Sequence, residues 1–166
     1  GNAAACLSAP QIFPSLGIET HTLFSNIDAS FPNHHPDPTE DDNLLELIKV
    51  VKSVKYDFGV AFDGDADRVV AVDEKGQIIR SDILICLFLP EIIKTPGIPI
   101  VFDVKCSQAL EDMIIHYGGK PIMWKTGHSL IKDKMKELNV LFAGEMSGHI
   151  FFSDDYYGFD DAIYVA

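Results

Sequence analysis

Beyond Pro96-Gly97 the chain settles into a strand–helix–strand rhythm, and that rhythm limits the fold more than any other feature. Residues 100–104 are an apolar run of strand length. Residues 108–117 carry apolar side chains at helical spacing, and Gly118-Gly119 end them. A strand over 121–124, a helix over 129–138 and a strand over 140–143 follow. Each element has one apolar face, and alternation of this kind buries those faces by packing helices on a sheet.

The first half is less regular. Residues 3–16 are small and apolar with Pro10 and Pro14 interspersed, which predicts a helix interrupted near its end. Residues 18–24 alternate as a strand would, and the proline-rich stretch 25–39 predicts irregular chain. Thr39 and the acidic run Glu40-Asp41-Asp42 then open a helix on Leu44, Leu47, Ile48 and Val51. Short apolar runs at 58–62 and 69–72 predict strands, the second leading through Asp73-Glu74-Lys75-Gly76 into a hairpin. Ser81-Asp82 caps a further helix over 83–94, residues from Phe151 read as strand, and a helix begins at Asp160. The expected fold class is α/β: two consecutive three-layer α/β/α domains with mixed sheets, 1–78 and 79–166. Both read as truncated, since the chain opens on a turn-like Gly1-Asn2 and stops within a helical pattern.

Charge narrows the partners. The formal net charge of −12 disfavours duplex nucleic acid and anionic membrane surfaces, which are gripped by Lys and Arg. One cleft can still take an anion if a few cations or a metal dominate it. No stretch approaches the ~20 apolar residues that span a bilayer, and Gly1-Asn2-Ala3-Ala4 lacks the basic and apolar regions of a signal peptide. Cys6, Cys86 and Cys106 are scattered, as expected of reduced thiols in a cytoplasmic protein.

The most informative hexapeptide is Asp63-Gly64-Asp65-Ala66-Asp67-Arg68, directly after an apolar run. Alternate residues of an extended chain lie ~6.6 Å apart, whereas Mg²⁺ holds its oxygens at ~2.1 Å. The loop must therefore curl if all three carboxylates are to share an ion, and Gly64 and Ala66 make a curl sterically easy. Counted from Asp63, carboxylates also fall at EF-hand positions one, three, five and twelve. Position six, however, is Arg68 where that loop needs Gly, and the flanks are strand-like. Arg68 either pairs with the aspartates or, once a cation neutralises them, grips a phosphate with its planar fork.

Three more polar clusters follow strands. Gly144-Glu145-Met146-Ser147-Gly148-His149 presents an acceptor, a hydroxyl and an imidazole, which in an extended segment share one face and suit sugar hydroxyls. Lys125-Thr126-Gly127-His128-Ser129 precedes a helix, where backbone N–H groups favour an anion. Asp103-Val104-Lys105-Cys106-Ser107 closes another strand, the end at which α/β folds place ligands. His34-His35 does not make a zinc site, because extended neighbours point apart and no third ligand stands at the needed spacing.

Taken together these motifs resemble the α-D-phosphohexomutases, in the phosphomannomutase/phosphoglucomutase branch. Asp63–Arg68 is similar to the family's magnesium loop, and the segments at 125–129 and 144–149 are similar to its later loops in the same order. Asn33-His34-His35-Pro36-Asp37-Pro38 and Asp103–Cys106 are also familiar from that branch. The resemblance implies the central part of a four-domain cytoplasmic enzyme: most of the second and third domains, without the phosphoserine loop of the first or the phosphate clamp of the fourth. It implies interconversion of hexose 1-phosphate and 6-phosphate through hexose 1,6-bisphosphate, which also acts as activator. Asp63, Asp65 and Asp67 would hold Mg²⁺. Arg68, Lys105, His128 and His149 would act in catalysis, and Lys105, Lys125, Gly127, His128, Glu145, Ser147 and His149 would bind substrate alongside Arg68. The isolated chain is expected to be inactive without the missing domains of the same protein. Two rival readings are a sugar-phosphate or metal-binding module without chemistry, and a phosphoglucosamine mutase. Against the latter, Met146 stands where that branch has glutamine. Ala66 replaces the family's usual glycine, which costs of order 1 kcal/mol if its φ is positive.

Overall fold

A computed structural model describes all 166 residues, Gly1–Ala166, and the chain divides into two compact units. The first contains residues 1–78 together with 162–166, and the second residues 79–161.

In the first unit, helix α1 (Ala5–Ser15) continues through both Pro10 and Pro14 to Ser15. A 3-10 turn (Asp41–Leu44) leads into α2 (Leu45–Val54), which stops at Lys55 in the left-handed region. Strands β1 (Phe58–Phe62), β2 (Val69–Asp73) and β3 (Ile78–Ile79) form one sheet in that order. β1 and β2 are antiparallel with Phe58 opposite Asp73 and Phe62 opposite Val69, so the acidic loop is the turn joining them. The Asp73 carboxylate accepts from the N–H groups of Lys75 and Gln77 and sets the next turn, which Gly76 completes at φ +79°. Helix α2 packs on β1 at Gly59, where a Cβ would stand 2.7 Å from Val51 and 2.8 Å from Leu47. Residues 18–24, expected as a strand, are mostly exposed, and no strand forms there. Alternation alone makes no strand; a ladder partner is also required.

The second unit opens with α3 (Ser81–Ile92). It continues with β4 (Pro99–Asp103), α4 (Gln108–His116), β5 (Lys120–Trp124), α5 (His128–Leu138), β6 (Phe142–Gly144) and β7 (Ile150–Phe152). The sheet order is β5-β4-β6-β7, with β4 parallel to both neighbours and β7 antiparallel to β6, so this sheet is mixed. Val101 and Ala143 point towards α5, where Ile131, Met135, Val140 and Phe151 complete a core. Gly144 points the other way, towards Ile85 of α3. Helices therefore cover both faces, as right-handed crossovers from a central β4 require.

The last helix, α6 (Ala162–Val165), lies in the stretch that sequence order assigned to the second domain. Its backbone instead joins the first unit, Ala162 N–H donating to Ala66 O at 3.0 Å, and it packs beside β2. The three cysteines are free, and no helix is long and apolar enough to cross a membrane.

A Cβ at Gly144 would meet the Cδ1 of fully buried Ile85 at 2.4 Å. Gly144→Ala should therefore lower stability by about 1–3 kcal/mol, the usual penalty of an overpacked core, as measured by urea denaturation. A variant as stable as the parent would show that α3 yields at this contact.

Candidate functional site

The acidic loop does curl. One carboxylate oxygen from each of Asp63, Asp65 and Asp67 lies within 4.8 Å of the others, although the three residues range from buried to exposed. Asp63 is the pivot, at 4% exposure. Its Oδ1 accepts from the backbone N–H groups of Asp67 (3.1 Å) and Arg68 (3.2 Å), and its Oδ2 accepts from Arg68 Nε at 2.8 Å. Ala66 takes φ +64°, so the strain foreseen for alanine is present, and the residue is buried there. The flanks are strands and Glu74 lies in the following turn, an arrangement unlike an EF-hand.

Arg68 is not idle. Its Nη1 donates to Asp37 at 3.2 Å, and its Nε also lies 3.9 Å from Asp67. Burial alone would raise the Asp63 and Asp37 pKa values. Hydrogen bonds and the guanidinium outweigh it, leaving both below the usual carboxylate range, while the same pairing holds the arginine further into its charged form. Three carboxylates, those of Asp37, Asp63 and Asp67, thus face one guanidinium with Asp65 beside them, and the surplus of hard oxygen donors fits a divalent cation such as Mg²⁺.

In the second unit the polar loops meet on one buried carboxylate. Asp103, fully buried at the end of central strand β4, accepts from Thr126 Oγ1 (2.8 Å) and Cys106 Sγ (3.1 Å). Its Oδ1 also accepts from Met146 N–H at 3.1 Å. One side chain thereby ties together the loops after β4, β5 and β6. The environment that satisfies Asp103 pushes the Cys106 thiol strongly upward, first by burial and then by the adjacent carboxylate. Asp82 of α3 adds a strut by accepting from Ser107 N–H at 3.0 Å.

Glu145, 1% exposed, accepts from Gly127 N–H at 2.5 Å, so the loops at 125–129 and 144–149 are directly linked. Burial raises its pKa, against the pull of that N–H and of nearby His149. The extended face expected for Glu145, Ser147 and His149 does not form. Glu145 N–H bonds to His149 O at 2.8 Å and Gly148 N–H to Glu145 O at 3.1 Å, making a tight turn between β6 and β7. Ser147 is half-buried at the tip. Lys105 and Lys125 stand exposed just beyond Asp103 and Trp124, which are opposite one another in the parallel β4–β5 ladder.

His128 and His149 are brought together, their rings stacked at 5.4 Å and 26°. Both approach Asp160, which the sequence reading did not single out: Oδ2 is 3.0 Å from His149 Nδ1 and 3.7 Å from His128 Nδ1. Lys132 Nζ donates to Oδ1 at 3.0 Å. Burial opposes ionisation of Asp160, but these partners hold its carboxyl well below the ordinary range. A cavity of about 620 Å³ lies in the first unit among Ala5, Ala9, Phe13, Leu44, Val51 and Phe58. None of Asp63, Asp65, Asp67 or Arg68 lines it, although Asp37, the partner of Arg68, does.

One unit thus carries a carboxylate loop between two antiparallel strands, and the other, an α/β unit with a mixed sheet, gathers polar loops at its strand ends. Comparison with known proteins makes the class specific. Residues 1–76 match the model of phosphoglucomutase/phosphomannomutase alpha/beta/alpha domain II, and residues 80–166 match that of domain III. The chain therefore belongs to the phosphoglucomutase/phosphomannomutase family. It is 52% identical over its whole length to a phosphomannomutase/phosphoglucomutase of Pseudomonas syringae pv. tomato, and 45% identical over 99% of its length to a phosphoglucomutase of Neisseria gonorrhoeae. In each case it spans 36% of the relative. A crystal structure of a phosphoglucomutase/phosphomannomutase family protein from Burkholderia thailandensis superposes with a TM-score of 0.95 at 47% identity. That match covers 99% of this chain and 36% of the other.

Two outcomes test this geometry. Asp103→Ala should cost about 2–4 kcal/mol in urea denaturation, since Thr126 Oγ1 and the Met146 N–H would both lose a buried acceptor. Glu145→Gln keeps an acceptor for Gly127 N–H but removes a charge that burial disfavours. A folded-state pKa above the unfolded value means that wild-type stability falls as pH rises through that window. The variant should therefore melt higher than the parent at neutral pH, with the gap closing as pH falls towards about 4.3, the ordinary glutamate value. A constant gap would refute the buried-charge account.

Proposed function

We propose that this chain is the central part of an Mg²⁺-dependent phosphomannomutase/phosphoglucomutase that interconverts hexose 1-phosphate and hexose 6-phosphate through a bisphosphorylated sugar. The observation that carries the reading is the convergence of three carboxylates on one curled loop, in a chain whose relatives bear that name. Asp63, Asp65 and Asp67 would hold the cation, which when bound offsets charge on the transferring phosphoryl group. Arg68 sits beside them, its Nε and Nη1 committed to Asp63 and Asp37. In this reading those carboxylates fix the orientation in which the guanidinium meets phosphate.

The second unit supplies the sugar end. Glu145 and Ser147 receive sugar hydroxyls, and Gly127 aligns Glu145 through its N–H. Lys105 and Lys125 meet the substrate's anionic groups from neighbouring strand ends. Of the two imidazoles, His149 suits proton transfer from the attacking hydroxyl better. Its side chain is 12% exposed and firmly packed, against 50% for His128, and a general base must be held in place before its pKa matters. The phosphoserine and the phosphate clamp would come from the remaining domains of the same protein, so the isolated chain performs no turnover.

The experiment is a chimera in which these 166 residues replace the matching segment of the Pseudomonas syringae relative. With Mg²⁺ and hexose 1,6-bisphosphate it should convert glucose 1-phosphate to glucose 6-phosphate, whereas the 166-residue chain alone should not. Chelation, or Asp65→Asn, should reduce the chimera's rate by about a hundredfold or more. A well-folded chimera without turnover would favour a binding module, and turnover by the isolated chain would refute the need for the other domains.

A further inference from the structure

The segment after β7 folds back on the strand it has just left. Gly158 N–H bonds to Phe152 O at 2.9 Å, Phe151 and Asp160 form an isolated antiparallel bridge, and Tyr156 donates a hydrogen bond to Asp161. Gly158 permits the turn at φ +81°, and a Cβ there would lie 2.7 Å from Ser153 Oγ. This fold-back delivers Asp160, a residue outside every motif in the sequence, to the edge of His149.

Three basic groups converge on that carboxylate, but they do not share it evenly. Lys132 occupies Oδ1, and its Nζ also lies 5.9 Å from the centre of the Phe151 ring. His149 Nδ1 lies 3.0 Å from Oδ2, at ion-pair distance though not aligned as a hydrogen bond, while His128 Nδ1 remains at 3.7 Å. The His149 ring is flanked by His128 at 26° and by Phe151 at 19°, so two near-parallel rings restrict its tilt. With the Asp160 side chain 8% exposed, water competes little for the contact. Lys132 takes Oδ1, so the buried Oδ2 is left facing the imidazole edge of His149.

We propose that Asp160 is a positioning residue for His149: its carboxylate fixes the Nδ1 edge of the ring and the tautomer that carries the proton there, leaving Nε2 as the basic nitrogen. A neighbouring acceptor selects the protonated ring nitrogen, and the opposite nitrogen then has the lone pair needed to take a proton from a hydroxyl. The use made of His149 rests on the mutase reading above; the way the ring is held does not. Lys132 serves as the counter-charge that keeps Asp160 an acceptor, and His128 is a stacking partner of His149.

Two measurements separate these claims. Two-bond proton–nitrogen correlation spectra of the ¹⁵N-histidine-labelled chain, recorded at a pH alkaline enough for the neutral ring of His149 to be observed, should show it as the Nδ1–H tautomer. Asp160→Asn should shift it towards Nε2–H and leave His34 and His116 unchanged. An Nε2–H signal in the wild-type chain overturns the inference, and that reading needs no variant to fold. In the chimera, Asp160→Asn should lower kcat by about a hundredfold with KM within about twofold, and Asp160→Glu should recover about tenfold. A kcat within about twofold of wild type would also overturn it. An inactive wild-type chimera combined with the Nδ1–H tautomer would reject the mutase reading and support the positioning.

Discussion

A single buried carboxylate, Asp103, organises the second unit. A carboxylate in a dry interior must be satisfied by donors, and here they come from Thr126 and Met146 as well as the adjacent Cys106. β4 lies between β5 and β6, so only the end of this strand can reach the loops on both sides at once. Gly127 N–H on Glu145 is possible because Asp103 has already drawn the two loops together. The polar surface assembled there thus depends on a residue that solvent never touches.

The two units solve the problem of concentrated charge differently. In the first, Asp63 is neutralised at short range by two backbone N–H groups and a guanidinium, and the exposed Asp65 and half-buried Asp67 add further negative charge. In the second, Glu145 keeps one strong donor, and burial still disfavours its charge.

The α/β layering was legible in the sequence because strand and helix periods differ and glycines mark their boundaries, as at Gly118-Gly119. The curl of the acidic loop was legible too, since three carboxylates separated by Gly64 and Ala66 leave few other arrangements. What could not be read were contacts between residues distant along the chain. Arg68 meets Asp37 across 31 positions, and Asp160 reaches His149 only because the chain reverses after β7. Neither pairing leaves a periodic trace. Residues 18–24 misled for the complementary reason: they carry a strand's alternation, but strands exist only in pairs. Asp103 was detectable in principle, as an acidic residue that ends an uninterrupted apolar run.

Chain order and spatial grouping part company at α6. Residues 162–166 follow the whole of the second unit yet complete the first, where Ala162 supplies an N–H to the carbonyl of Ala66. That carbonyl belongs to the residue held at positive φ within the acidic loop. Dissecting the protein at Ile78 would therefore yield an amino-terminal piece with a loosened acidic loop, and would leave the other piece trailing an orphaned, apolar tail. The smallest piece that keeps the loop braced is one in which the polypeptide leaves the first unit and returns to it.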